Sequence, residues 1–182
     1  MSMISSASNI RYPWYVRFIF WLQRCKYSTE LEPARLWGCT PKVFLALTAF
    51  YRAIDRKISP IEPALRSLIT VRVSQINWCA FCVDLNSATA LERTVAPEKL
   101  ADLPQFGASP HYSEREKTAL RFAEAVTRAE GRIDDALASQ LRVHFSDDAL
   151  IELAALIAFQ NLSSKFNSAL DVPAQGFCRK PE

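Results

Sequence analysis

Apolar side chains recur along this chain at intervals of three and four, the spacing that places them on one face of a helix. From Pro13 to Lys26 an aromatic-rich run carries Arg17, Gln23, Arg24 and Lys26 between its apolar positions, which predicts a first helix buried on most of its face. Thr40 before Pro41 reads as an N-cap with proline in the first turn. Val43, Phe44, Leu47, Phe50, Tyr51 and Ile54 then predict a helix over 41–56. Ser59, Pro60, Glu62 and Pro63 signal another start, with Pro63 in the first turn and Leu65, Leu68, Ile69 and Ile76 as the buried stripe.

Val71 and Val73 alternate with Arg72 and Ser74 as a short strand would, but the surrounding segment lacks Gly and Pro, and helix is the expected state. Asn77 can take the left-handed conformation that ends a helix, so the chain restarts as a new helix over about 79–93. Ser113 with Glu116 forms a capping box, Gly131 is read as that helix's end, and a short helix follows over 134–143. Ser146, Asp147 and Asp148 open a last long helix to about Leu170, after which Pro173 and Gly176 close the ordered chain. Nearly every segment has helical period, so the fold class is all-α, a single-domain helical bundle.

Composition narrows the function classes. With 182 residues and 49% hydrophobic side chains, one compact domain is expected. The net charge of +3 comes from scattered Lys and Arg rather than a basic stripe, which argues against a nucleic-acid partner. Arg17 and Glu152 interrupt the longest apolar runs, so no membrane span is expected, and the amino terminus does not read as a secretory signal. Five cysteines, an odd number without framework spacing, fit a reducing, cytoplasmic setting.

The candidate chemistry is the pair Cys79 and Cys82. In a first helical turn, residues three apart share a face, so their sulfurs can close a disulfide without large backbone movement. The helix start carries partial positive charge and free N–H groups, which favour thiolate and can lower a thiol pKa from ~8.5 toward neutrality. A thiolate that meets a peroxide becomes a sulfenic acid, and a thiol three residues away captures it as a disulfide. Three other readings stand beside this one. Half of a zinc site would need ligands assembled from His111, His144 or distant cysteines; two buried cysteines can simply pack; and Trp78 before Cys79 is reminiscent of a thioredoxin turn, though the strands of that fold are missing.

The stretch VRVSQINWCAFCVDLNSATA, Val71 to Ala90, resembles the signature of the alkylhydroperoxidase D-like branch of the carboxymuconolactone decarboxylase superfamily. PALRSL from Pro63, SEREKTALRFAEAVT from Ser113, HFSDDALIELAALIAFQN from His144 and LDVPAQGF from Leu170 extend the resemblance over roughly residues 40–177. Residues 1–39 then form an amino-terminal aromatic helical extension and 40–182 the hydroperoxidase-like domain. The resemblance implies an all-α homo-oligomer without organic cofactor or metal, in which Cys82 attacks a peroxide or a disulfide, Cys79 resolves, and an external thiol supplies electrons. Peroxidase members carry a glutamate twelve residues before the first cysteine and a histidine four after the second; here Ser67 and Asn86 stand at those positions. Neither titrates near neutrality, so a proton relay would have to use Asp84, which otherwise reads as a helix-start charge.

Two alternatives accompany the oxidoreductase. A non-catalytic helical interaction protein would keep the fold and use the Tyr12–Tyr27 helix as a contact, and a lactone decarboxylase is the more distant option. Trp78 is expected to pack against that aromatic helix, with the lining of an access channel as its other reading.

Overall fold

The computed structural model describes residues 10–129 and 131–178. Among them run nine α-helices: α1 (Trp14–Tyr27), α2 (Glu32–Gly38), α3 (Pro41–Ile54), α4 (Pro63–Ile76), α5 (Ala80–Glu92), α6 (Pro97–Ala101), α7 (Glu114–Thr127), α8 (Asp135–His144) and α9 (Asp147–Ala169). A single 3-10 turn, Leu103–Gln105, follows α6, and no strand occurs among the described residues. The Val71–Ser74 alternation lies inside α4, which removes the strand reading and with it any thioredoxin-like fold.

Helix α4 is the hub, packed against α5, α7 and α9. It is buried on several sides, at Leu65, Arg66, Ser67, Leu68, Ile69, Val71, Val73 and Ser74, rather than along the expected stripe. Leu120 and Ala123 of α7 and Leu153 and Ile157 of α9 complete the main core. The two starts written as serine caps are built as predicted: Ser113 and Glu116 form a reciprocal capping box on α7, and Ser146 Oγ accepts from Ala149 N. Thr40 occupies the N-cap position of α3 without capping it, since its hydroxyl donates to Trp37 O instead.

Three further expectations are corrected. Only Val16 and Phe20 of α1 are buried, while Trp14, Phe18 and Trp21 are exposed, so this helix shows solvent a broad apolar face. Of the periodic set on α3 only Phe44 is buried. Helix α7 ends at Thr127, before Gly131, whose role is steric: a Cβ there would lie 2.0 Å from Ala125 O.

The amino-terminal helices lie against the rest of the molecule. Phe44 joins Val16, Phe20 and Ala34 in one cluster, and Trp37 stacks on Phe166 with ring centroids 3.7 Å apart. Leu31 and Leu36 pack on a third cluster built from Cys79, Phe81, Cys82 and Val172, which brings the molecule's front edge onto the thiols. No helix among the described residues is long and apolar enough to cross a membrane.

Candidate active site

The junction between α4 and α5 is made by one residue in an uncommon conformation. Asn77 ends α4 at φ −85°, and the left-handed position falls instead on Trp78, at φ 55°. A bulky side chain is disfavoured there by contact between its Cβ and the backbone, so the surroundings must hold it. Hydrogen bonds from Trp78 N to Gln75 O and from Cys79 N to Ser74 O at 3.1 Å do so. The indole points away from the core and is 89% exposed, which overturns the expectation that it packs against α1 and leaves it lining a cleft.

Cys79 is the N-cap of α5, and its sulfur accepts the backbone N–H of Cys82 at 3.2 Å. The two cysteines are joined in a disulfide with Cα atoms 5.3 Å apart, within the ordinary range for that bond. Both are nearly buried, Cys79 at 1% and Cys82 at 4% exposure. Cys79 lines the floor of a cleft of about 750 Å³ whose walls include Arg72, Trp78, Val83, Asp84, Pro104 and Cys178. Behind the pair, Asn167 of α9 donates from Nδ2 to Cys82 Sγ at 3.2 Å, while its Oδ1 is buried without a hydrogen-bond partner.

The other sequence candidates are each engaged in hydrogen bonds of their own. Ser67 Oγ accepts from Arg93 Nη1 at 3.2 Å, and Arg93 Nη2 pairs with Asp55 at 2.6 Å, so Ser67 belongs to an ion-pair network. Asn86 donates to Ser74 Oγ at 3.2 Å, and Ser74 Oγ also accepts from Gln160 Nε2 at 3.0 Å, forming a buried polar tie between α4, α5 and α9. Asp84 lies beyond the first turn of α5, so it is not a helix-start charge, and its carboxylate accepts N–H bonds from Gln175, Gly176, Phe177 and Cys178. Burial pushes the Asp84 carboxyl up, and those four main-chain donors outweigh it, holding the group below the usual carboxylate range. The Cys178 thiol, across the same cleft, is pushed up by burial and then by the Asp84 charge.

Asn167, Asn77 and Gln160 escaped sequence reading, because an amide inside a long helix has no spacing signal of its own. Asn77, noticed only as a turn former, bridges α4 to Asn161 and Ser164 of α9 at 2.9 and 2.8 Å. No group of three or more His, Cys, Asp or Glu side chains able to hold a metal ion occurs among the described residues.

The uncharacterized protein YnjA of Escherichia coli strain K12 is 45% identical over 162 residues, 89% of each chain. Residues 41–125, from the start of α3 through most of α7, match the pattern of the carboxymuconolactone decarboxylase family. This chain belongs to that family. Within the carboxymuconolactone decarboxylase family its fold is that of the AhpD-like branch. It is similar to the alkylhydroperoxidase AhpD core of a peroxidase-related protein from Ralstonia eutropha JMP134, with TM-score 0.82 and 23% identity over 94% of this chain and 93% of that one. The debrominase Bmp8, in a cysteine-to-alanine variant complexed with 2,3,4-tribromopyrrole, is similar at TM-score 0.84 and 22% identity, covering 97% of this chain and 95% of that one. The segment that matches the family pattern contains the disulfide, Trp78, Ser67 and Asn86.

Proposed function

We propose that this protein is a thiol oxidoreductase that reduces a peroxide or a disulfide by cycling Cys79 and Cys82 between dithiol and disulfide. The observation that carries the reading is the bonded sulfur pair across the first turn of α5, with Cys79 in the lining of a cleft. In the oxidative half, the Cys82 thiolate attacks one peroxide oxygen, the O–O bond breaks, and the departing oxygen takes a proton from solvent as alcohol or water. Cys82 is then a sulfenic acid; the Cys79 sulfur attacks it, the S–S bond forms and water leaves. In the reductive half, an external thiol attacks the cleft-facing Cys79, Cys82 departs as thiolate, and a second thiol equivalent releases Cys79.

A peroxide needs to bring only one oxygen to the sulfur, so the bulk of a larger oxidant can stay in the cleft. Ser67 and Asn86 supply no general base, and general acid-base help is worth about 10² to 10⁴ in rate, so turnover is expected to be slower than in a relay-bearing peroxidase. Cys25, Cys39 and Cys178 are unpaired, which suits a reducing cytoplasmic setting, and the apolar faces of α1 and α3 suit a homo-oligomer.

The reduced protein should lose both thiols of the pair to one equivalent of peroxide, and a dithiol donor should then sustain turnover above a Cys82→Ser control. Retention of both thiols, together with turnover no higher than that control, would leave an interaction protein that has kept the fold.

A further inference from the structure

An amide placed inside a protein is stabilised only when both of its ends find partners. Asn167 is 1% exposed, its N–H faces Cys82 Sγ, and its carbonyl oxygen faces no donor. An apolar side chain of the same size would fill the position without that penalty.

The chemical states of Cys82 explain why an amide suits the place. A disulfide sulfur has no proton to give and accepts hydrogen bonds weakly, so only the N–H end of Asn167 can face it. A thiolate is a far stronger acceptor, and the same contact becomes a charge-assisted bond. A thiol S–H or a sulfenic O–H is a donor, which only the unpartnered carbonyl can receive. The terminal torsion of asparagine is broad and roughly two-fold, so a half-turn about it exchanges the end presented to the sulfur.

We propose that Asn167 is a catalytic residue of this centre: its N–H holds the Cys82 thiolate, and its carbonyl accepts a hydrogen bond from the S–H of the Cys82 thiol or the O–H of its sulfenic acid. The proposal rests on the reading above in taking Cys82 as the reacting sulfur. When an external thiolate attacks Cys79 Sγ, the S–S bond breaks, its electron pair passes to Cys82 Sγ, and the new charge forms against the Asn167 N–H. Asn167 stabilises that charge without exchanging a proton, so protons enter from solvent through the cleft. It is thereby the polar group on the reacting sulfur in a chain whose relay positions hold Ser67 and Asn86.

The test is pH-dependent alkylation by iodoacetamide of the reduced protein carrying Cys79→Ser, with and without Asn167→Asp or Asn167→Leu, following the Cys82 peptide by mass spectrometry. Each Asn167 substitution should raise the midpoint for Cys82 and slow its alkylation at neutral pH by about ten- to a hundredfold. The aspartate should do so more strongly, because a like charge beside the sulfur opposes the thiolate. A packing role would lower the melting temperature of the leucine variant and leave its midpoint in place, and that result would overturn the proposal. Should the leucine variant not fold, Asn167→Ala, which removes the amide without adding charge, decides in the same way. Alkylation needs no substrate, so a shifted midpoint without turnover of peroxide or disulfide would remove the proposed function and keep Asn167, and turnover without a shift would do the reverse.

Discussion

At Asp84, four successive main-chain N–H groups converge on one carboxylate, from Gln175 at 2.9 Å, Gly176 at 2.6 Å, Phe177 at 3.0 Å and Cys178 at 2.7 Å. The sign of its pH dependence follows from the lowered pKa. Stability from this clip is full above the carboxyl's ordinary range and is lost as pH falls through the depressed folded value. Mild acid therefore leaves the carboxyl-terminal segment fastened. Asp84→Asn removes the charge and is expected to cost about 1–3 kcal/mol, with faster hydrogen exchange confined to the amides of 175–178. Unchanged exchange there would mean that Phe177 and its neighbours, rather than the carboxylate, hold the segment. None of this was legible from the residues, because Asp84 and its donors lie 91 to 94 positions apart and an aspartate early in a helix looks like any other first-turn charge.

Local chemistry wrote the elements it could reach. The capping box on α7 joins residues three apart, and the helix begins where Ser113 and Glu116 place it. Ser113→Ala should lower stability by about 1 kcal/mol, measured by urea unfolding with unchanged dependence on denaturant. The CxxC spacing likewise put Cys79 and Cys82 in one turn. What escaped were the short pieces, α2, α6 and the 3-10 turn, which have too few residues for a period to show. The left-handed junction was displaced by one residue, from Asn77 to Trp78, since the intrinsic preference of asparagine yields to its bonds with Asn161 and Ser164. The buried side of α3 was misjudged for a different reason. Periodicity finds an apolar face but does not say what covers it, and Val43, Leu45, Phe50 and Tyr51 face outward.

Across the described residues, those side chains and Trp14, Phe18 and Trp21 of α1 leave aromatic and aliphatic surface exposed, the kind of surface that subunit contacts cover. With a net charge of only +3, little long-range repulsion opposes association of copies. A homo-oligomer closed through these faces should fall to a smaller species in light scattering when Trp21→Glu and Phe50→Glu are combined. A mass unchanged by that pair would move the contact elsewhere on the surface.

The bond from Glu32 N to Gln175 Oε1 spans 143 positions, and Gln175 Nε2 returns a second one to Glu30 O at 3.1 Å. This fastening closes the chain between Glu30 and Gln175 into a ring, and Gln175 is synthesised long after the cysteines it encloses. A nascent chain therefore carries its sulfur pair before the latch exists. Translation must pass Gln175 before the corner beside those atoms takes its final shape, so a chain stopped near Val172 would have its helices and the Cys79–Cys82 pair in place but the doorway left ajar.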